Sequence, residues 1–230
     1  MIFRQLYDHQ SSTYTYLLAD REGGEALLID PVKENVSQYV QLVEQLDLKL
    51  IIALDTHIHA DHVTGLGSLR QRTGCASAMG DMGKAECVSV RFREGEKVRI
   101  GNLSLDVLYT PGHTDDSYSF VMADRVFTGD TLLIRGTGRT DFQNGDPVAQ
   151  YESLFNKLLK LPDNTLVYPA HDYNGMTVST ILEEKRHNPR LLVPDKAAYV
   201  ALMNGLKLDS PKLMDIAVPA NLQCGLRRVV

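Results

Sequence analysis

The sequence predicts an α/β protein built as an αββα sandwich, in which helices cover two mixed β-sheets. Strand-like and helix-like segments occur in both halves of the chain, which is typical of packed layers of sheet and helix. Several of the predicted strands end at a histidine or an aspartate, so ligand-type side chains are expected where the sheets meet. At 230 residues the chain is long enough for a substantial core. A single domain over 1–230, with a short C-terminal helical extension, is predicted.

The predicted elements follow from the spacing of apolar residues. The predicted strands are short apolar or alternating runs bounded by turn residues, and they cover 14–18, 26–30, 50–54, 88–92, 97–100, 103–109, 118–122, 126–127 and 165–168. The predicted helices have one apolar face at helical spacing, and they cover 36–46, 66–71, 148–161, 178–186 and 196–204. Asp146 and Pro147 are expected to cap and begin the helix that follows them.

Residues 56–62 bring three histidines and an aspartate together directly after the predicted strand over 50–54. Because side chains alternate along an extended chain, His57 and His59 are expected to point the same way. Asp61 and His62 follow just before a predicted helix and are expected to turn back toward the same point. Histidine and carboxylate ligands suit zinc, iron or manganese. The sequence therefore predicts a metal site.

Other predicted strands end in ligand-type residues in the same way. His113 follows Pro111 and Gly112, and the glycine permits a tight turn that aims the imidazole inward. Asp130 follows Thr128-Gly129, and His171 follows Pro169-Ala170. Asp30 has a similar place but is interpreted as a structural residue that caps a loop. The joint order HxHxDH, PGH, TGD and PAH is far more specific than any one of these motifs.

Bulk composition excludes several classes of protein. A net charge of −5 and a pI near 5.8 argue against a nuclease or another nucleic-acid-binding protein. No apolar run is long enough to cross a bilayer, and the start lacks the pattern of a secretory signal. The three cysteines form no CxxC pair. We therefore expect buried thiols without a disulfide framework, and a cytoplasmic location.

The motifs and their order resemble the metallo-β-lactamase superfamily, whose fold is the αββα sandwich. The stretch 127–143, together with 168–173, 188–190 and 217–221, is similar to the persulfide dioxygenase (ethylmalonic encephalopathy protein) branch. The resemblance covers nearly the whole chain. Thr137 departs from the pattern, because relatives carry cysteine there, and this puts in doubt a role for a protein thiol near the site.

The resemblance implies a dioxygenase that oxidises glutathione persulfide with dioxygen to sulfite and glutathione, a reaction of sulfide detoxification. It implies a single iron(II) per chain held by His57, His113 and Asp130, a ligand set that leaves coordination positions open. The positions that complete a two-metal site in hydrolytic relatives are expected to orient these ligands and bound water; they are His59, Asp61, His62 and His171. The resemblance also implies a homodimer.

Glutathione carries carboxylates, so an acidic protein must supply local cations to bind it. Arg139, in the loop after Asp130, is the first candidate, because a guanidinium pairs bidentately with a carboxylate. A structural salt bridge between Arg139 and Asp141 is the alternative. Tyr173 is expected to offer a hydroxyl to the substrate or to dioxygen. Weaker candidates for substrate binding are Arg70, Lys185 and Arg190.

Two other functions remain open at the level of sequence. A binuclear zinc hydrolase of glutathione thioesters (a hydroxyacylglutathione hydrolase of the glyoxalase II type) would use the same ligand types, with a metal-bound hydroxide as nucleophile. The segment 135–143 favours the dioxygenase branch over it. A non-enzymatic persulfide sensor or sulfur carrier is disfavoured, because every ligand type is present.

Overall fold

The computed structural model describes residues 1–209 and 213–226, which fall into two compact units. Unit 1 comprises Met1–Phe92, Lys97–Leu105 and, of the C-terminal segment, the described residues 213–226. Unit 2 comprises Arg93–Glu96 and Asp106–Asp209. The prediction of one domain over 1–230 stays a prediction.

Blocks of strands and helices occur in both halves of the chain, as the sequence predicts. The strands are β1 (Ile2–Asp8), β2 (Thr13–Ala19), β3 (Glu25–Ile29), β4 (Lys49–Leu54), β5 (Ala76–Gly80), β6 (Val90–Phe92), β7 (Lys97–Ile100), β8 (Leu103–Tyr109), β9 (Tyr118–Val121), β10 (Arg125–Gly129), β11 (Leu166–Pro169) and β12 (Ser179–Thr180). The helices are α1 (Val36–Gln45), α2 (Leu66–Thr73), α3 (Pro147–Asn156), α4 (Ile181–His187), α5 (Lys196–Asn204) and α6 (Met214–Asn221).

Both sheets are mixed, as predicted. The first has the order β1-β2-β3-β4-β5-β6, and the second has the order β12-β11-β10-β9-β8-β7. In the first sheet β3, β4, β5 and β6 pair in parallel, whereas β1, β2 and β3 pair antiparallel. In the second, β10 and β11 pair in parallel. Parallel neighbours end at the same edge of a sheet, so the residues that follow them are brought together.

Each unit has its own apolar core. In unit 1, buried residues of β2, β3 and β4 pack with the inner faces of α1 and α2. In unit 2, Val126 and Val167 of the sheet pack with Leu154, Ile181 and Tyr199 from α3, α4 and α5. The buried face of α1 is the one predicted from its periodicity, with Val36, Tyr39, Val40 and Val43 inside.

The expectation that the chain has no disulfide is wrong. Cys87 and Cys224 form a disulfide, whereas Cys75 is the buried free thiol that was expected. The sequence gives no sign of the pair because the two cysteines are 137 positions apart. Among the described residues, no helix has the length and apolar character needed to cross a membrane.

Candidate metal site

In unit 1, the parallel pairing of β3 and β4 places Asp30 beside the start of the histidine-rich segment. The Asp30 carboxylate accepts hydrogen bonds from the Thr56 amide at 2.7 Å and from the Thr56 hydroxyl at 3.0 Å, and it lies 3.1 Å from Nε2 of His59. Asp30 has a left-handed backbone conformation with a φ of 51°, which aspartate tolerates better than most residues. The sequence analysis interpreted Asp30 as a residue that caps a loop. In the structure Asp30 also contacts the histidine-rich segment, through Thr56 and His59.

The Thr56 hydroxyl fixes the tautomer of His57. Its one proton is donated to Asp30, so its oxygen accepts from Nδ1–H of His57 at 3.0 Å. Nε2 of His57 then carries the lone pair. A neutral imidazole that is held at Nδ1 and presents Nε2 is the form in which histidine binds a metal.

The histidines of residues 57–62, which we call the metal loop, lie together in a buried place. The ring centroids of His57 and His59 are 4.1 Å apart, and those of His59 and His62 are 4.3 Å apart. Asp61 contacts His62, with 2.9 Å between Oδ2 and Nδ1. Ligand-capable atoms of Asp30, Asp55 and His59 also lie within 4.8 Å of one another.

Burial raises the pKa of Asp30 to about 6, although His57 and the hydrogen bonds from Thr56 favour the charged form. The carboxylate is 1% exposed, and burial penalises its charge. Neighbouring imidazoles and donors are therefore needed to keep it ionised near neutral pH. The charge of Asp30 therefore depends on its contacts with Thr56 and with the histidines of the metal loop.

In unit 2, a turn at Gly112 aims His113 as predicted. Gly112 has a φ of 138°, and a Cβ there would come within 2.3 Å of the Cα of Gln150, so only glycine fits. Nδ1 of His113 donates to the carbonyl of Arg139 at 2.8 Å. Nε2 of His113 is left with the lone pair and lies 3.6 Å from Oδ2 of Asp130.

The parallel pairing of β10 and β11 brings Asp130 to His171. The amide of Ala170 donates to the carbonyl of Gly129 at 2.9 Å, which continues the pairing past the strands. Oδ1 of Asp130 then accepts from Nδ1 of His171 at 2.7 Å. The other carboxylate oxygen, Oδ2, faces His113. Imidazole nitrogens and carboxylate oxygens arranged in this way suit a first-row transition metal.

Three consecutive carbonyls in the loop after Asp130 each accept a hydrogen bond from a side chain. The Thr137, Gly138 and Arg139 carbonyls accept from Arg190, Gln150 (3.0 Å) and His113 (2.8 Å), respectively. The amide of Gly138 also donates to the Asp130 carbonyl at 2.6 Å. Sequence analysis missed Gln150, because a glutamine within an amphipathic helix gives no signal of such a contact.

The candidate substrate residues of unit 2 lie near these groups. Arg139 forms the bidentate salt bridge with Asp141 that was the structural alternative, at 2.6 and 2.7 Å, and donates to the carbonyl of Asp209 at 2.6 Å. The side chain of Arg139 is only 15% exposed. Tyr173 is 69% exposed and its ring stacks on His171 with a centroid distance of 6.1 Å.

The weaker candidates make structural contacts. Arg70 in α2 donates to the Ser77 hydroxyl at 2.9 Å and to the carbonyl of Cys87. Lys185 in α4 forms a salt bridge with Asp163 at 2.6 Å. Arg190 is engaged with Thr137, as described above. Their part in substrate binding stays a prediction.

The chain is similar to a known protein family and to several known proteins. A family model described as "Metallo-beta-lactamase superfamily" matches residues 10–171. The chain is 46% identical to "Persulfide dioxygenase ETHE1, mitochondrial" of Mus musculus over an alignment of 230 positions that covers 99% of this chain and 90% of the mouse protein. A hydroxyacylglutathione hydrolase of Dictyostelium discoideum is 31% identical, over 77% of this chain and 69% of that protein.

A solved structure also matches almost the whole of this chain. The crystal structure of ETHE1 from Myxococcus xanthus has 55% sequence identity and a TM-score of 0.95, and the match covers 98% of this chain and 100% of that chain. Together with the family model, this match confirms the α/β fold class predicted from the sequence, an αββα sandwich with the metallo-β-lactamase fold.

Proposed function

Because the chain belongs to the metallo-β-lactamase superfamily, and within it to the persulfide dioxygenase family, we propose that it oxidises glutathione persulfide with dioxygen to sulfite and glutathione. The similarity to persulfide dioxygenases over 99% of the chain carries this proposal. The chain is accordingly an enzyme that incorporates oxygen into its substrate. A role in sulfide detoxification follows from this reaction.

The proposed ligands are His57, His113 and Asp130, with a single iron(II) per chain. The tautomers support this set, because both histidines are held at Nδ1 and present Nε2. When bound, iron(II) in such a set supplies open coordination positions for a substrate sulfur and dioxygen. A persulfide is more acidic than a thiol, and thiols bind metals as anions.

Within unit 2, His171 has a supporting role. By donating to Oδ1 of Asp130 it holds the carboxylate so that Oδ2 faces Nε2 of His113. Such partners orient ligands and tune the metal. We assign His59, Asp61 and His62 a similar role in the metal loop, where the rings of His59 and His62 lie tilted against each other and Asp61 contacts His62.

Arg139 and Tyr173 are the proposed substrate residues. Arg139 supplies a guanidinium for a glutathione carboxylate, which would compete with Asp141 for the same donors. Tyr173 is exposed beside His171 and offers a hydroxyl. Arg70 and Lys185 stay secondary candidates, because each already holds a partner within its own unit.

The second candidate function is the binuclear zinc hydrolase of glutathione thioesters. The similarity to a hydroxyacylglutathione hydrolase favours it, and zinc competes well for nitrogen and oxygen ligands on intrinsic affinity. In that case His59, Asp61, His62 and His171 would bind a second metal. The persulfide dioxygenase match, at 46% identity over 99% of this chain, favours the dioxygenase over the hydrolase match, at 31% over 77%.

Metal content and oxygen uptake separate the two functions. We expect protein purified without oxygen to contain a single iron per chain and to consume dioxygen when glutathione persulfide is added. The matched control is the His113→Ala variant, which should lose both iron and oxygen uptake. Two zinc ions per chain together with hydrolysis of a glutathione thioester would instead support the hydrolase.

The proposal also includes a homodimer and a cytoplasmic location. Two observations point away from the cytoplasm: the mouse relative is named as mitochondrial, and disulfides such as Cys87–Cys224 persist mainly in oxidising compartments. Sedimentation of the purified protein tests the dimer. Thiol trapping of the protein in intact cells tests whether the bridge forms where the protein is located.

A further inference from the structure

Asn221, at the end of α6, makes three buried hydrogen bonds to the backbone of the metal loop and its flank. Its Nδ2 donates to the carbonyls of His59 at 2.8 Å and His62 at 2.9 Å, and its Oδ1 accepts from the amide of Thr64 at 2.8 Å. The side chain is 2% exposed. The partners define the orientation of the amide, because a carbonyl accepts and an N–H donates.

These bonds matter because the metal loop has no regular secondary structure of its own. Between the end of β4 at Leu54 and the start of α2 at Leu66, the described chain is irregular apart from an isolated bridge at Thr64. Buried carbonyls need partners wherever they lie. Asn221 supplies them for His59 and His62 and so spans the loop from its middle to its end.

The residues after Asn221 are fastened to the same part of unit 1. Cys224 is joined to Cys87 by the disulfide, and its carbonyl accepts from the amide of Gly67 at 2.9 Å. The carbonyl of Gly225 accepts from the ammonium group of Lys33. Gly225 lies so close to the loop that a Cβ there would come within 2.1 Å of the carbonyl oxygen of Thr64.

We propose that Asn221 is a positioning residue for the metal loop, and that the Cys87–Cys224 disulfide holds the segment that carries it. The inference rests on the proposed metal-binding role of the loop. Asn221 acts on the backbone of residues that neighbour the proposed ligand His57, and it touches neither metal nor substrate. The disulfide restricts how far the segment can move away from Cys87, which lies between β5 and β6, so it helps to keep Asn221 within reach of its three partners.

The Asn221→Asp variant is the sharpest test, because it keeps the acceptor for Thr64 and replaces the donor group by a carboxylate oxygen that repels the carbonyls of His59 and His62. We expect kcat to fall roughly tenfold or more while KM changes by less than about twofold, as for a lost orienting contact. The visible spectrum of the cobalt(II)-substituted protein should shift, and cobalt should dissociate faster. Gln223→Ala is the matched control, because Gln223 is exposed in the same segment.

A purely structural role predicts something different. Lower thermal stability with an unchanged cobalt spectrum and unchanged kcat per bound metal would overturn the proposal. If the wild-type protein consumes no oxygen at all but the cobalt spectrum of Asn221→Asp still shifts, the proposed function fails while the positioning role stands.

Reduction of the disulfide gives a second test, which can be made on the wild-type protein. A dithiol reductant supplies two electrons and two protons, so that the Cys87–Cys224 bond breaks and the dithiol closes to its own disulfide. We expect the reduced wild-type protein to lose cobalt faster, and the Cys87→Ser variant to behave like the reduced protein. If reduced and oxidised proteins lose cobalt at the same rate, the disulfide has no part in holding the loop.

Discussion

Single hydrogen bonds determine which nitrogen each candidate ligand presents. His57 is fixed by a hydroxyl that has already given its proton to Asp30, and His113 is fixed by a backbone carbonyl. In both cases Nδ1 carries the hydrogen and Nε2 carries the lone pair. The acceptors differ, a side-chain hydroxyl for His57 and a backbone carbonyl for His113, but both histidines have the same tautomer. The proposed ligand set requires this tautomer, because both histidines would bind the metal through Nε2.

The guanidinium of Arg139 forms a salt bridge with Asp141, and the proposed function needs the same group to bind a carboxylate of the substrate. We expect Arg139→Ala to raise KM for glutathione persulfide roughly tenfold or more, because a hydrogen bond to a charged group contributes about 1.5–3 kcal/mol. Iron content should be unchanged, since the Arg139 contact with His113 comes from its backbone carbonyl. Steady-state oxygen uptake and elemental analysis measure both quantities.

Arg186→Ala is the matched control for Arg139→Ala, because Arg186 is exposed at the end of α4. Its KM should equal that of the wild type. Loss of iron from Arg139→Ala with an unchanged KM would mean that the side chain has only a structural role, through its contacts with Asp141 and Asp209. Arg139→Lys should also bind substrate weakly, because lysine lacks the bidentate geometry.

At the level of elements, α3 supports the turn that carries His113. The amide of Asp146 donates to the carbonyl of Gly112 at 2.9 Å, and the hydroxyl of Ser153 donates to the carbonyl of Pro111 at 2.7 Å. Gln150 lies between them and donates to the carbonyl of Gly138. The side-chain oxygen Oε1 of Gln150 in turn accepts a hydrogen bond from the Tyr199 hydroxyl at 2.8 Å.

Replacing Gln150 tests this support. We expect Gln150→Leu to lower the free energy of unfolding by about 1–3 kcal/mol, because it removes two buried hydrogen bonds. The Gly138 carbonyl loses its 3.0 Å bond and keeps the longer one from the Thr137 hydroxyl at 3.2 Å, and the Tyr199 hydroxyl loses its acceptor. Metal should also dissociate faster, since Gly138 precedes the residue that fixes the His113 tautomer. Urea unfolding and metal-release kinetics provide the measurements. Val148→Ala, on the exposed side of α3, should change stability by less than about 0.5 kcal/mol.

The elements also show what the sequence can predict. β8 and α5 have the predicted bounds, because alternation and helical spacing were unambiguous there. Asp146 caps α3 as expected, accepting from the amide of Val148 at 2.7 Å. Three strands were missed: β1, β5 and β12. β5 consists mostly of alanine, serine and glycine, which have low strand propensity, and it is held by parallel pairing with β4 and β6.

Two helices were predicted too long at one end. The helix predicted over 148–161 ends at Asn156 and is followed by a separate turn of 3-10 helix, Leu158–Lys160. The helix predicted over 178–186 begins only at Ile181, after β12. The ligand motifs were visible in the sequence because they are local. The contacts of Asp30, Gln150 and Asn221 depend on residues that are distant in sequence, so no local pattern announces them.

At the scale of the whole molecule, the proposed ligands come from widely separated positions in the chain, at His57, His113 and Asp130. The unfolded chain cannot hold them together, so the metal binds the folded state and stabilises it by linkage. Thermal unfolding therefore reports on the ligand set independently of catalysis.

We expect removal of the metal by a chelator to lower the melting temperature. Metal at about a hundredfold excess over its Kd contributes about 2.7 kcal/mol, and a chain of this size shifts by roughly 2–4 °C per kcal/mol. The expected decrease is therefore about 5–11 °C, measured by calorimetry at fixed protein concentration. Asp130→Asn is the control, because a variant that binds metal poorly should unfold at the same temperature with and without chelator. If the wild type were equally insensitive, these three residues would not be the ligands of a metal that stabilises the fold.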